Sequence, residues 1–284
     1  MQFGVTMFPA DYAMRVTDLG RAAEDRGFES LFLPEHTHIP VHRETPWSGT
    51  TTPGDPPREY VHTIDPFVAF GAVAAVTSRI KLGTGICLVI QRDPILLAKE
   101  VASIDLLSGG RFLFGVGAGW LREEIANHGT DPRTRWRLFG ERMRAMEAIW
   151  SNEEAEFRGK YVNFDKIWSW PKPVQKPRPP ILLGGDVLTA MQRVVEYADE
   201  WMPHPDRGEV PLRERIRQFH ELCESGGRPP LPVTVYGTPT DQRAVETYVE
   251  AGLNRCVFRL PAASADEVLP ALDRAAAVAR AFAP

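Results

Sequence analysis

The chain has 284 residues, of which 43% are hydrophobic and 25% charged, which excludes a disordered protein. Its net charge is −4, from 33 basic and 37 acidic residues, which excludes a protein whose main work is neutralising nucleic-acid phosphates. The longest apolar run, 67–77, is far shorter than the roughly 18 residues of a membrane span.

The N-terminal MQFGVTMFP shows neither a basic region nor a long apolar core, so no secretory signal is expected there. Cys87, Cys223 and Cys256 lie far apart, with no zinc or disulfide spacing. They read as buried small hydrophobes in a reducing, cytoplasmic setting. Richness in Pro, Arg and Ala resembles a high-GC bacterial coding bias.

In chain order, the pattern predicts a strand over 2–7, a helix over 12–26 stopped by Gly27, and a strand over 30–35. Residues 36–64 carry no periodicity and read as a functional lid or a mobile loop. A buried helix over 65–78 and a third strand over 80–88 follow. Asp93 and Pro94 open the next helix, and Ser108-Gly109-Gly110 close it. The fourth strand is 111–119, followed by helices over 121–128 and 134–150. Residues 151–180 break the rhythm with a hairpin turning at Gly159 and a Pro-rich stretch. Strands over 181–185, 200–203, 232–237 and 255–261 then alternate with helices near 187–198, 209–225, 241–251 and 265–281.

Eight strand–helix units in a chain of this length predict a closed (β/α)8 TIM barrel with inserted loops, as one domain over 1–284. A doubly wound open sheet is the alternative. In a barrel, the chemistry sits where strands end. Glu35 and His36 end the second strand, on opposite faces, so they are not expected to bond to each other. His36 suits acid–base work near neutral pH, and reads equally as a loop histidine that caps or packs.

His36-Thr37-His38 invites a metal reading, but no strand tip supplies the further ligands, so no metal site is expected. Gly115-Val-Gly-Ala-Gly119 lacks the spacing of a dinucleotide fingerprint, and its small residues instead suggest close passage of something flat. Gly184-Gly185-Asp186 precedes an apolar-periodic helix and reads as an anion site or as a plain turn. Asp186 would repel a phosphate there unless its carboxylate caps the helix. Trp120, Trp168 and Trp170 are candidate pocket walls or packing residues. His62, His128 and His220 read as surface or packing histidines, His204 as an unsupported candidate, and the arginines of 133–144 as a solvated helix face.

Three segments together resemble a known family: FLPEHTHIP (32–40), LGTGICLVIQRDPILLAKEVASIDLLSGGRFLFGVGAGW (82–120) and PPILLGGDVLTAMQRVVEYADEWMP (179–203). The chain is similar to luciferase-like monooxygenases, and most to their actinobacterial branch dependent on the deazaflavin coenzyme F420. The resemblance runs nearly end to end and implies the (β/α)8 barrel, with the cofactor ring across its mouth. It implies that His36 takes the place of the family's proton-handling histidine. It places Glu35, Gly85, Ile86, Leu88, Gly119 and Trp120 around the cofactor, with a non-proline cis peptide at Gly85-Ile86. Gly184, Gly185 and Asp186 would receive the cofactor phosphate.

The chain departs from the F420-dependent sugar-phosphate dehydrogenases. Trp120 stands where they carry an acid after the strand-four glycines, and Pro40 where they carry a tryptophan. Their basic substrate-phosphate pocket has no counterpart in the sequence, and the 36–64 loop with Trp47 and Tyr60 suggests a less polar one. The expected activity is hydride transfer between F420 and a small organic substrate. The alternatives are an FMN-dependent monooxygenase on the same barrel and a non-catalytic flavin- or F420-binding protein. A homodimer is expected from the family, with no nucleic-acid or membrane partner.

Overall fold

The computed structural model describes residues 1–47 and 55–282. The chain opens with β1 (Gln2–Thr6), α1 (Val16–Asp25) and β2 (Ser30–Leu33). Helix α1 begins later than periodicity suggests, because long-range backbone pairing holds residues 9–14. Ile64 N–H donates to Pro9 O at 3.0 Å, Asp11 N–H to His62 O at 3.1 Å, and Met14 N–H to Ala263 O at 2.8 Å. Within the loop read as a lid lies one short helix, α2 (Arg58–Val61), while residues 48–54 fall outside the described residues.

Helix α3 (Pro66–Ala74) starts at Asp65, whose carboxylate accepts from the Phe67 and Val68 N–H groups. The third strand is not continuous. It divides into β3 (Lys81–Thr84) and β4 (Cys87–Leu88) around a cis Gly85–Ile86 peptide bond, and a 3-10 turn (Val89–Gln91) follows. Helix α4 (Pro94–Leu107) is capped by Asp93 as its sequence predicts. Strand β5 (Phe112–Gly117), α5 (Arg122–Asn127) and α6 (Arg135–Ser151) come next.

The inserted hairpin is β6 (Glu154–Arg158) with β7 (Asn163–Trp168), antiparallel. Its turn is held from below by buried Glu141 on α6, which accepts the N–H groups of Lys160, Tyr161 and Val162 at 2.6–3.0 Å. A Cβ at Gly159 would stand 2.3 Å from that carboxylate, so the turn needs glycine. The barrel then resumes with β8 (Ile181–Gly184), α7 (Leu188–Tyr197), β9 (Glu200–Met202) and α8 (Leu212–Ser225). It finishes with β10 (Thr234–Thr238), α9 (Gln242–Glu250), β11 (Arg255–Arg259) and α10 (Ala265–Arg280).

The parallel strands neighbour one another in the order β10-β11-β1-β2-β3-β5-β8-β9, with β4 pairing β5. The ends of this path meet through a Trp201–Val233 bridge and the bond from Tyr236 N–H to Pro203 O at 2.9 Å, which nearly closes the barrel. Phe32, Leu113, Leu182, Met202 and Val257, from five strands, fill the interior. The larger core lies between strands and outer helices, and the three cysteines are buried in the protein as expected. At the N-terminal end, Arg255 ties three strands together. It bonds Glu200 at 3.0 Å and Glu29 at 2.9 Å, and reaches Thr234. No described helix is long and apolar enough to cross a membrane.

Candidate active site

A cavity of about 500 Å³ opens at the C-terminal ends of the strands. Every residue singled out from the sequence as catalytic or cofactor-binding lines it. Glu35 and His36 follow β2, Gly85, Ile86 and Leu88 come from the broken third strand, Gly119 and Trp120 follow β5, and Gly184, Gly185 and Asp186 end β8.

Glu35 and His36 both reach the cavity but turn to different partners. The Glu35 carboxylate accepts from Leu88 N–H at 2.7 Å and from Arg92 Nε at 2.8 Å. Arg92 also bonds Glu100 at 3.0 Å and lies over the Phe67 ring. Glu35 therefore fixes the strand just after the cis peptide. Burial and the nearby Glu35 charge push the Cys87 thiol well up, which keeps it inert.

His36 turns Nδ1 to Glu124 Oε2 at 3.0 Å. Glu124, on α5, is 1% exposed and also accepts from Thr37 N–H at 3.1 Å. Burial alone raises this carboxyl, but the hydrogen bond and charge of His36, with Thr37, outweigh it and hold it below the ordinary range. A carboxylate only accepts, so the Nδ1 proton lies between the two groups and Nε2 remains for a ligand. Tyr60 and Trp120 flank the imidazole, with centroids at 5.2 and 6.0 Å. Thr37 Oγ1 also meets His128 Nε2 at 2.7 Å, which places that surface histidine behind the same loop.

The β8 tip differs from expectation. Asp186 does not cap α7, which has no side-chain cap. Its carboxylate accepts from His204 N–H at 2.7 Å, meets His204 Nδ1 at 3.2 Å, and pairs with buried Arg215 at 3.3 Å. Burial raises the Asp186 carboxyl, and His204 and Arg215 outweigh that and lower it. The negative charge is thus partnered by Arg215 and His204. Gly185 has φ +141, a Cβ there would stand 2.7 Å from Ala190 Cβ, and its carbonyl accepts from Trp201 Nε1 at 2.8 Å. An uncapped helix start beside two glycines suits a phosphate. The residues present fit a flat, phosphate-bearing redox cofactor in this respect.

Other expectations are corrected. Trp168 and Trp170 are 74% and 59% exposed, on and just after the hairpin, and do not line the cavity. Trp47, Tyr60 and Trp136 line it along with Trp120. The glycines of β5 are also required by packing, and Gly117 lines the cavity as well. A Cβ at Gly115 would lie 1.8 Å from Thr84 O, and one at Gly117 would lie 2.0 Å from Ile86 Cδ1. Arg142, read as solvated, is half-buried and donates to Val89 O at 2.9 Å. His204, Glu124 and Arg259 are site residues for which the sequence offered only weak signals or none.

Residues 1–280 match the luciferase-like monooxygenase model, and the chain belongs to that family. An uncharacterised protein of Mycobacterium tuberculosis is 36% identical over 280 residues, 98% of each chain. An FMNH(2)-dependent dimethylsulfone monooxygenase of Pseudomonas fluorescens is 35% identical over 136 residues, 46% of this chain and 36% of that protein. An F420-dependent glucose-6-phosphate dehydrogenase of Kineococcus radiotolerans is 28% identical over 178 residues, 62% of this chain and 48% of that protein. In fold, the monooxygenase RslO1 of Streptomyces bottropensis superposes with a TM-score of 0.81 at 18% identity, over 100% of both chains. An F420-dependent secondary alcohol dehydrogenase superposes with a TM-score of 0.77 at 18% identity, over 100% of this chain and 99% of that one. The chain is a luciferase-like oxidoreductase of the kind that uses a flavin or F420.

Proposed function

We propose that the protein uses coenzyme F420 to move a hydride to or from a small organic substrate bound at the mouth of the barrel, with His36 handling the accompanying proton. The observation that carries this reading is His36 in the cavity wall, held through Nδ1 by the buried Glu124. When bound, the deazaflavin supplies two-electron hydride chemistry. Glu124 holds the imidazole in one tautomer, so that Nε2 can give or take a proton at the substrate oxygen. The Gly184-Gly185 turn and the start of α7 hold the phosphate. Gly85, Ile86, Leu88 and Gly119 form the wall behind the ring, and Trp120 and Tyr60 shield the reacting centre from water. The site takes a single small molecule as substrate, and the working unit is a homodimer.

Titration of the apo-protein with F420 and FMN in parallel, followed by cofactor fluorescence, tests the cofactor. Micromolar or tighter F420 binding with much weaker FMN binding is expected. The reverse preference moves the protein to the FMN-dependent monooxygenases, and tight binding without turnover over a substrate panel makes it a cofactor-binding protein. In the active case His36→Ala lowers turnover by about 10²–10⁴-fold and leaves the cofactor Kd within a few-fold.

A further inference from the structure

The cavity's charges are not all matched within the protein. Of its carboxylates, Glu35 is paired with Arg92, and Asp186 with Arg215. Glu59 also lines the cavity and forms no ion pair among the described residues. Arg207 and Arg259 line it as well. Arg259 ends β11 with an exposed side chain, and it makes no hydrogen bond or ion pair with any described residue.

Its placement is nonetheless defined. Gly237, at the neighbouring β10 tip, has φ +81, and a Cβ there would stand 3.0 Å from Arg259 Nη2. The glycine leaves the room that the guanidinium occupies. Tyr60 and Tyr236 lie within reach of its charge, and burial pushes both phenols up, so neither neutralises it. Strand β11 is three positions round the barrel from β8. The cation therefore sits apart from the α7 start, on the side of the cavity that carries Phe8, Tyr60 and His36.

We propose that Arg259 is an anion anchor and that the substrate is an organic acid. Its carboxylate pairs with the Arg259 fork, and its apolar body packs against Phe8, Trp47 and Tyr60 near His36. A guanidinium matches a carboxylate with two parallel N–H bonds, which fixes orientation as well as charge. The proposal rests on the reading of this cavity as the substrate site. It differs from a sugar-phosphate pocket, because the wall around the cation is aromatic.

The test uses 3-phenylpropionate and its neutral isostere 3-phenylpropionamide, titrated calorimetrically into the protein, alone and after saturation with whichever cofactor binds. The acid is expected to bind at least about tenfold tighter than the amide. Arg259→Gln should erase that preference, Arg259→Lys should keep part of it, and circular dichroism should stay unchanged, since the side chain is exposed. Three results overturn the proposal: no acid binding at millimolar concentration, equal binding of acid and amide, or a preference that survives Arg259→Gln. A variant that loses F420 affinity while keeping the acid preference assigns the arginine to the cofactor instead, and also overturns it. If neither cofactor binds but the acid preference depends on Arg259, the cofactor reading falls and the anchor stands.

Discussion

His36 Nδ1 and Glu124 Oε2 meet at 3.0 Å although 88 residues of sequence separate them, and both side chains are buried, at 7% and 1% exposure. A carboxylate this buried has a role only through what it touches, and it touches His36 and the Thr37 backbone. It is a positioning residue: it sets the tautomer and orientation of the imidazole. Glu124→Gln keeps an acceptor in place but removes the charge. Turnover should fall by about 10–100-fold with cofactor affinity little changed. The decisive reading is a double-mutant cycle. If the carboxylate acts through His36, the double variant His36→Ala, Glu124→Gln is no slower than His36→Ala alone. Additive losses would refute that role.

Asp186 makes a second prediction, this time on stability. It is the only carboxylate in ion-pair contact with buried Arg215 among the described residues. Asp186→Asn leaves that charge with only the carbonyls of His204 and Pro205. Loss of one partner of a buried pair costs about 3–5 kcal/mol, and the remaining carbonyl bonds place this case near the lower end. The folded carboxyl is depressed below its ordinary 3.8 by His204 and Arg215 against the opposing effect of burial. Its contribution is therefore complete above that pH and disappears as pH falls through the lower, folded value. Urea midpoints of wild type and variant should differ near neutral pH and converge in strong acid, below the folded carboxyl's lowered value. A gap that persists undiminished in strong acid would contradict the assignment.

Strand tips were readable because a parallel barrel puts them all on one face, so local sequence sufficed to gather Glu35, His36 and the Gly184-Gly185 turn into one site, whereas the break at Gly85-Ile86 was implied only by the family resemblance. What local sequence could not show was pairing across the fold. Glu124 sits in a short helix, REEIAN, whose acidic residues look like ordinary first-turn charges until the barrel brings one under His36. His204 follows directly on a strand end and could have been weighted by that position alone, but its Asp186 partner lies 18 residues away. Trp168 was misplaced for a different reason. It pairs with Glu154 at the open end of a two-stranded sheet with nothing stacked above it, so an aromatic side chain there stays in solvent. The late start of α1 has the same origin as the missed pairs, since its first residues are held by Thr63-region backbone and by Ala263.

Two glycines in β5 separate fold from site. A Cβ at Gly115 would meet Thr84 O at 1.8 Å, and that carbonyl belongs to the adjacent strand, where Thr84 Oγ1 also donates to Gly115 O at 2.6 Å. Backbone cannot move aside without parting β3 from β5, so Gly115→Ala should cost about 3 kcal/mol or more, or prevent folding. At Gly117 the obstacle is Ile86 Cδ1 at 2.0 Å, the end of a rotatable side chain, and the next atom, Cγ1, is already at 3.4 Å. Ile86 can turn away, but it lines the cavity, so it turns at the expense of the site's shape. Gly117→Ala should therefore cost only about 1 kcal/mol in stability. Its cofactor affinity should drop by about tenfold, which is the 1.4 kcal/mol of one displaced side chain at the ring's wall. Denaturation midpoints and fluorescence titrations on the two variants separate these effects. Equal stability losses, with cofactor binding intact in Gly117→Ala, would show that Ile86 is not part of the surface against which the cofactor lies.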